Sequence, residues 1–598
     1  MDKNTVWAIV LSTLVIIGFS YYQVTTMEPI IPEPQIAETS TVTNQTDETT
    51  QTNNEVAKPS TTTPEKFSAE SESNLKEEHI VISNDVFTVT LTNKGGDIIS
   101  YELNNHLVGD EKVQMAENIT AQNRALALSF GGADNSIIND IFSVEKKGSN
   151  IVEFSKIFVS QENADEFFEL KKIYTFDKEE YLFRLDIQIN GNNNIISNSD
   201  IAYTLRSTPQ IGPTYNAKKD KYEYRTFNFY NGKNKSKRIG NDDIKVWDNG
   251  YQWAGVAGTY FSQQIYTPDA SKMTDAVYTT VGNVDNFANA QLMLQRAGTN
   301  QSSIQDTYYV YMGPKVDKEL VKYNKVEENN WNLSNLRLDE ILSSGMLAWL
   351  EIFLKWLMEI FYMLIPNWGV SIIIMTIVLK IVLYPLTKKS SMATLKMQEF
   401  QPKIKEIQDK YSNNKEKLNM EMAKFYKEAG YNPMAGCFPL LIQFPLIFAM
   451  FNLFKNYFEF RGAMFIPGWI PDLSRPDSVG LFPEWLPFVG GDALSILPVI
   501  YVASQILFTK ITQANATNQN NSMKYMMYAM PVFFFFMFYN APSGLLLYWT
   551  VSNVLQLVQQ LAINKMMHAK RKELGLVQDK PKAKEVALPP KAKKQNKK

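Results

Sequence analysis

Lys380 is the residue of this chain whose type fits its surroundings least. It lies within the run GVSIIIMTIVLKIVLYPLT, residues 369–387, which as one helix would extend about 28 Å, close to the hydrocarbon thickness of a bilayer. An ammonium group in such a place is costly and marks function by default. Other polar residues interrupt apolar runs nearby in the pattern. Thr376 precedes the lysine by one turn, Gln443 breaks LLIQFPL, and Tyr548 is followed by Trp549, Asn553, Gln556 and Gln560 at i, i+4, i+7 and i+11. The chemistry open to this set is hydration and charge attraction. No acid in these runs is an obvious partner for Lys380, so the cation would attract an acid brought by another molecule, from a shared wet recess. Snorkelling of Lys380 from about 10 Å inside Thr387, and amides acting as hydrogen-bond glue between helices, are the plainer alternatives.

A second surface is apolar and pliable. YMMYAMPVFFFFMFY, residues 525–539, combines Met526, Met527, Met530 and Met537 with Phe533 and Phe534, a composition that accommodates varied apolar shapes. Ordinary packing against lipid or helices would use the same residues. Bond-making chemistry has little support. Cys437 is the single cysteine, the three histidines are scattered, and no phosphate loop, nucleophile elbow, zinc helix motif or dinucleotide fingerprint occurs. No metal, cofactor or small-molecule substrate is expected, and the chain is not read as an enzyme.

The elements that must position these residues come in two halves. After about residue 340 the apolar runs crowd together: Gly369–Thr387, Phe438–Phe458, Leu494–Phe508, Tyr525–Tyr539 and Pro542–Ile563. Five clustered transmembrane helices are expected there, with Val6–Tyr22 as an uncleaved N-terminal anchor. Ala348–Ile365 is apolar enough to mimic another crossing, but Glu351, Lys355 and Glu359 form one stripe at i, i+4, i+8, the design of a helix in the interface plane. Residues 388–429 carry ten lysines and six acids, broken by Ser412, Asn413 and Asn414, which predicts a charged helical hairpin outside the membrane.

The first half has a different period. Phe87, Val89 and Leu91 alternate with threonines before the turn NKGG, and Phe183, Leu185, Ile187 and Ile189 alternate with polar residues. Such repetition over 79–330 predicts a large antiparallel β-sandwich, preceded by a Thr/Pro/Glu-rich linker over 24–78 that is too polar to order itself. The domain order is then anchor 1–23, linker 24–78, sandwich 79–330, interfacial helix 331–366, helical core 367–563 and basic tail 564–598. The net charge of -2 conceals that tail, where residues 564–598 hold twelve Lys or Arg against three acids. The loop 459–492 has two Arg against five acids, so the positive-inside rule puts hairpin, tail and both termini in the cytoplasm and the sandwich outside it.

NWGVSIIIMTIVLKIVLYPLT, QPKIKEIQDKY, NPMAGCFPLLIQFPLIFAMF and APSGLLLYWTVSN, in this order, resemble the YidC/Oxa/Alb membrane protein insertases. The likeness is nearest to the Gram-negative YidC branch, with its N-terminal anchor and large periplasmic β-supersandwich; NGYQWAGVAGTYF and YMGPK resemble pieces of that domain. The resemblance implies an insertase and chaperone of the bacterial inner membrane. Its hydrophilic groove would open to cytoplasm and lipid and take nascent membrane proteins, alone or with the Sec translocon. It implies that Lys380 stands where arginine is usual, keeping the charge without the planar donor fork, and that Thr376 is the polar groove position. Tyr548 and Trp549 would occupy a place where two tyrosines are common. The hairpin would receive the nascent chain, and the basic tail would favour the ribosome or anionic lipid. A secondary transporter with its small molecule at Lys380 is the competing class, although 340–563 lacks the inverted repeats it needs; a sensor that binds its ligand in the sandwich is a third.

Overall fold

Where side chains alternate in the sequence, they alternate in space. In the strand Leu182–Gly191 the residues Leu185, Ile187 and Ile189 are buried while Arg184, Asp186 and Gln188 are half-buried, as the period of two requires. In Phe87–Thr92 the residues Phe87, Val89 and Leu91 are fully buried. The NKGG turn follows, and Gly95 sits at φ +72, where a Cβ would lie 2.6 Å from the Ile138 carbonyl oxygen, so glycine is required there.

The computed structural model describes residues 67–70, 75–161, 163, 165–192, 200–215, 223–237, 243–248, 250–284, 287–299, 301–342, 347–430, 438–481, 483, 494–513 and 521–573. The chain divides into two units. The first is residues 1–348 with Lys455–Phe458, the second Trp349–Phe454 with 459–598.

Among the described residues the first unit holds three antiparallel sheets of ten, five and four strands. The largest runs Phe67–Ala69, Ile151–Ser160, Phe167–Thr175, Leu182–Gly191, Ser303–Pro314, Phe261–Tyr266, Trp253–Ala257, Thr226–Tyr230 and Asn234–Lys237, with Ser143–Lys146 beside Ile151–Ser160. One apolar core joins the sheets, with Tyr101, Phe154, Tyr174, Leu205 and Leu294 fully buried. Phe227 and Phe229, from the aromatic-rich piece 222–230, are core strand residues. A buried ionic clip lies within this unit: the Asp97 carboxylate accepts from Arg124 Nε at 2.9 Å and from Lys172 Nζ. Further donors of both cations go to backbone carbonyls and Asn139, the kind of hydrogen bonding a buried charge cluster needs. Phe67–Ala69 falls inside the stretch expected to be linker. Three register pairs tie it to the strand Ile151–Ser160. One helical turn, α1 (Asp317–Val321), follows the last strand.

The second unit is helical: α2 (Ala348–Leu364), α3 (Trp368–Val382), α4 (Tyr384–Lys410), α5 (Lys415–Glu428), α6 (Phe438–Asn456), α7 (Leu497–Gln513), α8 (Asn521–Phe538) and α9 (Ser543–Glu573). α9 packs along α7 and α3 and is the spine of the unit. The hairpin breaks where its sequence predicts. α4 and α5 are separated by Tyr411–Asn414, Asn414 caps α5 by accepting from Lys417 N at 3.0 Å, and Phe400 meets Phe425 edge-on at 5.5 Å.

The expectation of helical crossings is corrected in one respect. Residues 369–387 do not form one helix: α3 ends at Val382 and α4 begins at Tyr384 with Pro385 in its first turn, a place that tolerates proline where a helix interior does not. α3 has 15 residues and α7 has 17, and no helix among the described residues is long and apolar enough to cross a membrane. The anchor Val6–Tyr22, residues 24–66 of the linker and the tail beyond Glu573 lie outside the described residues.

Candidate functional site: a polar seam between helices

Two short devices fix the start of α3. Asn367 caps it by accepting from Val370 N at 3.1 Å, and Gly369 lets the helix approach the Phe465 ring, which an added Cβ would overlap. Thirteen residues into α3 stands Lys380, half-buried. Its ammonium donates to Gln556 Oε1 of α9 at 3.4 Å, a long contact, and its backbone carbonyl accepts from Gln559 Nε2 at 3.2 Å. Among the described residues no carboxylate pairs with it. One turn further up α9, Asn553 donates to Ser504 Oγ of α7 at 3.2 Å, and Ser504 donates on to the Tyr501 carbonyl at 2.6 Å. Gln560 donates to Asn564 Oδ1 at 2.9 Å. Lys380 with Gln556 and Gln559 thus links α3 to α9, and Asn553 with Ser504 links α7 to α9, two polar contacts that share α9 as a seam.

The other expected site residues divide around this seam. Thr376 is fully buried and its hydroxyl donates to the Ile372 carbonyl at 2.6 Å, satisfying itself within its own helix. Tyr548 is buried and stacks on Phe454 at 6.1 Å, so it faces the packed side of α9. Trp549 stacks on Tyr501 at 5.6 Å and meets Phe538 edge-on at 4.6 Å, bridging α7, α8 and α9. On α8 the side chains of Met530, Phe533 and Met537 are exposed, Phe533 by 60%, and Phe534 is half-buried against Phe538. The side chains of Gln443, Met526 and Met527 lie outside the described residues.

The sequence pattern did not single out Ser504 or Gln559. The spacing of α9 pointed to Gln556 and Gln560, and Gln559 is their neighbour on the edge of the same face. It also left the charged stripe of α2 facing water. In the structure Trp349, Ile352, Phe353 and Trp356 are exposed, whereas Glu351 is buried and accepts from Asn452 Nδ2 of α6 at 2.9 Å. Burial pushes the Glu351 carboxyl above its ordinary range, partly offset by the Asn452 hydrogen bond. Lys355 and Glu359 stay nearer the surface as an i, i+4 pair at 4.0 Å.

Comparison with known proteins covers both units. Residues 79–357 match the family model for the YidC periplasmic domain, and residues 360–571 match that for the 60Kd inner membrane protein. The chain is 46% identical over 589 residues to a membrane protein insertase YidC of Treponema denticola, covering 95% of this chain and all of the relative. It is 37% identical over 623 residues to that of Treponema pallidum, covering 94% and 99%. A crystal structure of an active YidC insertase with its first transmembrane domain resolved aligns over 81% of this chain and 92% of its own, with a TM-score of 0.34 and 19% identity.

Proposed function

The chain belongs to the YidC family of membrane protein insertases, inner-membrane proteins with a periplasmic domain, and from that premise we propose that its seam is the groove that holds a client's polar segment during insertion. The observation that carries the reading is the half-buried Lys380 ammonium, which engages an amide oxygen at 3.4 Å. A cation so weakly engaged retains capacity for an acid supplied from outside. Asn553, Ser504, Gln556 and Gln559 extend a wettable strip beside it, which lowers the desolvation cost of a polar segment entering the bilayer. The apolar part of the client slides along α6 and the exposed Met530, Phe533 and Met537 of α8 into lipid, with apolar burial supplying the drive. No nucleotide site is needed, and the function is that of an insertase rather than an enzyme.

The cytoplasmic termini and a membrane-embedded helical core are part of the same reading, as are the domain boundaries given above with two shifts: Phe67–Ala69 joins the sandwich, and so do residues 331–342, whose Leu336, Leu338 and Ile341 are buried in its core. The α4–α5 hairpin receives the emerging chain; the basic tail favours the ribosome or anionic lipid, and the Sec translocon shares some clients. The exposed apolar face of α2 lies on the membrane surface. The test is depletion of the protein in its own cell, with complementation by Lys380→Ala, Lys380→Glu and a sandwich deletion, scored by insertion of small membrane proteins. Depletion that leaves every such client correctly inserted refutes the proposal.

A further inference from the structure

One segment outside the seam ties its helices together at their other end. Asp477 lies in the segment between α6 and α7 and is fully buried. Its Oδ2 accepts from Trp469 Nε1 at 2.9 Å and from the backbone N–H groups of Ile496 and Leu497 at 2.8 and 2.9 Å, at the N-terminus of α7. The Asp477 carbonyl accepts from Ser495 Oγ at 2.8 Å. A few residues earlier the same segment holds α9: the Arg475 and Leu473 carbonyls accept from the N–H groups of Ser543 and Gly544 at 2.7 and 3.0 Å, and Asp472 O accepts from Ser543 Oγ at 2.9 Å. Gly544 is held so closely that a Cβ would lie 3.2 Å from Leu473 O. Ser495 N donates to Tyr539 Oη, just past α8, at 3.2 Å.

The short segment Asp472–Asp477 therefore occupies the orphan donors of two helix N-termini at once. Those are groups that would otherwise need water. The negative charge sits at the positive end of the α7 dipole. The same two helices carry the seam, through Ser504 on α7 and Asn553 on α9.

We propose that Asp477 is a positioning residue, the latch that fixes the N-terminal end of α7 to the segment whose carbonyls hold α9, so that the seam opens only towards Lys380 and water does not pass through. The proposal rests on the groove reading above. It predicts a hierarchy of substitutions. Asp477→Asn keeps an acceptor oxygen in place and keeps the latch; Asp477→Ala leaves the donors of Trp469, Ile496 and Leu497 unmet and opens it.

The experiment uses the full-length protein in spheroplasts, with Cys437→Ser removing the native thiol. A reporter thiol is placed by Ala541→Cys, at a fully buried position beside the α9 N-terminus, and a control thiol by Ala254→Cys, fully buried in the sandwich. A membrane-impermeant maleimide is added outside. Asp477→Ala is expected to label the reporter about tenfold faster or more, with the control unchanged and Asp477→Asn close to the parent. Parental labelling of the reporter in Asp477→Ala, or equal acceleration at the control, overturns the latch. Faster labelling specific to the reporter with client insertion unchanged supports the latch and counts against the groove reading instead.

Discussion

Reversing the sign of Lys380 discriminates charge attraction from mere wetness of the seam. Two unit charges about 4 Å apart attract by about 1 kcal/mol in water and by about 4 kcal/mol at an effective dielectric of about 20. Lys380 is half-buried with an amide oxygen 3.4 Å away, so its field belongs between those limits. Lys380→Ala should then lower the held population of a client with an acidic polar segment by about fivefold to about a thousandfold. Gln556→Leu removes one long hydrogen bond and should cost about tenfold at most. Lys380→Glu replaces attraction by repulsion of similar size. The assay is pulse-labelling and protease protection in depleted cells, with one single-span client made in three versions whose translocated segment carries Asp, Asn or Lys. The native protein should favour the Asp version, and Lys380→Glu should favour the Lys version. An equal loss across all three clients, with no rescue of the Lys client by Lys380→Glu, would refute charge attraction and leave only polarity.

Three further outcomes test the frame around the seam. Asp97→Leu leaves the buried Arg124 and Lys172 without their shared carboxylate and should destabilise the sandwich by about 3–5 kcal/mol, measured by urea unfolding; a loss below about 1 kcal/mol would deny the clip its role. Gly369→Ala should lower the yield of folded protein because its Cβ would overlap the Phe465 ring, and Phe465→Val should restore it in the double variant. Glu180 accepts from Asn330 N at 2.7 Å, and burial raises its pKa from the usual 4.5. A raised carboxyl pKa means stability is lost as pH climbs from the ordinary value through the raised one. Glu180→Gln should therefore gain in thermal midpoint over the native chain at pH 7 and lose that advantage near pH 4; an advantage of equal size at both would contradict the shift.

Periodic features were legible in the sequence, and features set by distant contacts were not. Alternation in Leu182–Gly191 reads directly as one buried face, and the Ser412–Asn414 break reads as the turn of a hairpin. The spacing from Asn553 to Gln556 put both on one side of α9, where Gln556 meets Lys380 and Asn553 meets Ser504. Thr376 shows the limit of spacing. A threonine one turn before a lysine has the same periodicity whether its hydroxyl faces a wet recess or its own i−4 carbonyl, and here the carbonyl has it. The stripe Glu351, Lys355, Glu359 likewise gave the helix its polar side without revealing that Asn452 covers one end. Asp477 was invisible for another reason: besides Trp469, its partners are backbone N–H groups 19 and 20 residues away, and backbone donors carry no sequence signature. Phe67–Ala69 was too short to announce itself among polar neighbours.

That three-residue strand has a mechanical consequence. Any pull transmitted along the N-terminal segment reaches the sandwich first through Phe67, Ser68 and Ala69, paired with Ser160, Val159 and Phe158. Only three pairs resist there, whereas nine hold the Ile151–Ser160 strand behind it to Phe167–Thr175. Losing those three pairs would leave the nine behind them in place, so the margin would part before the body of the domain.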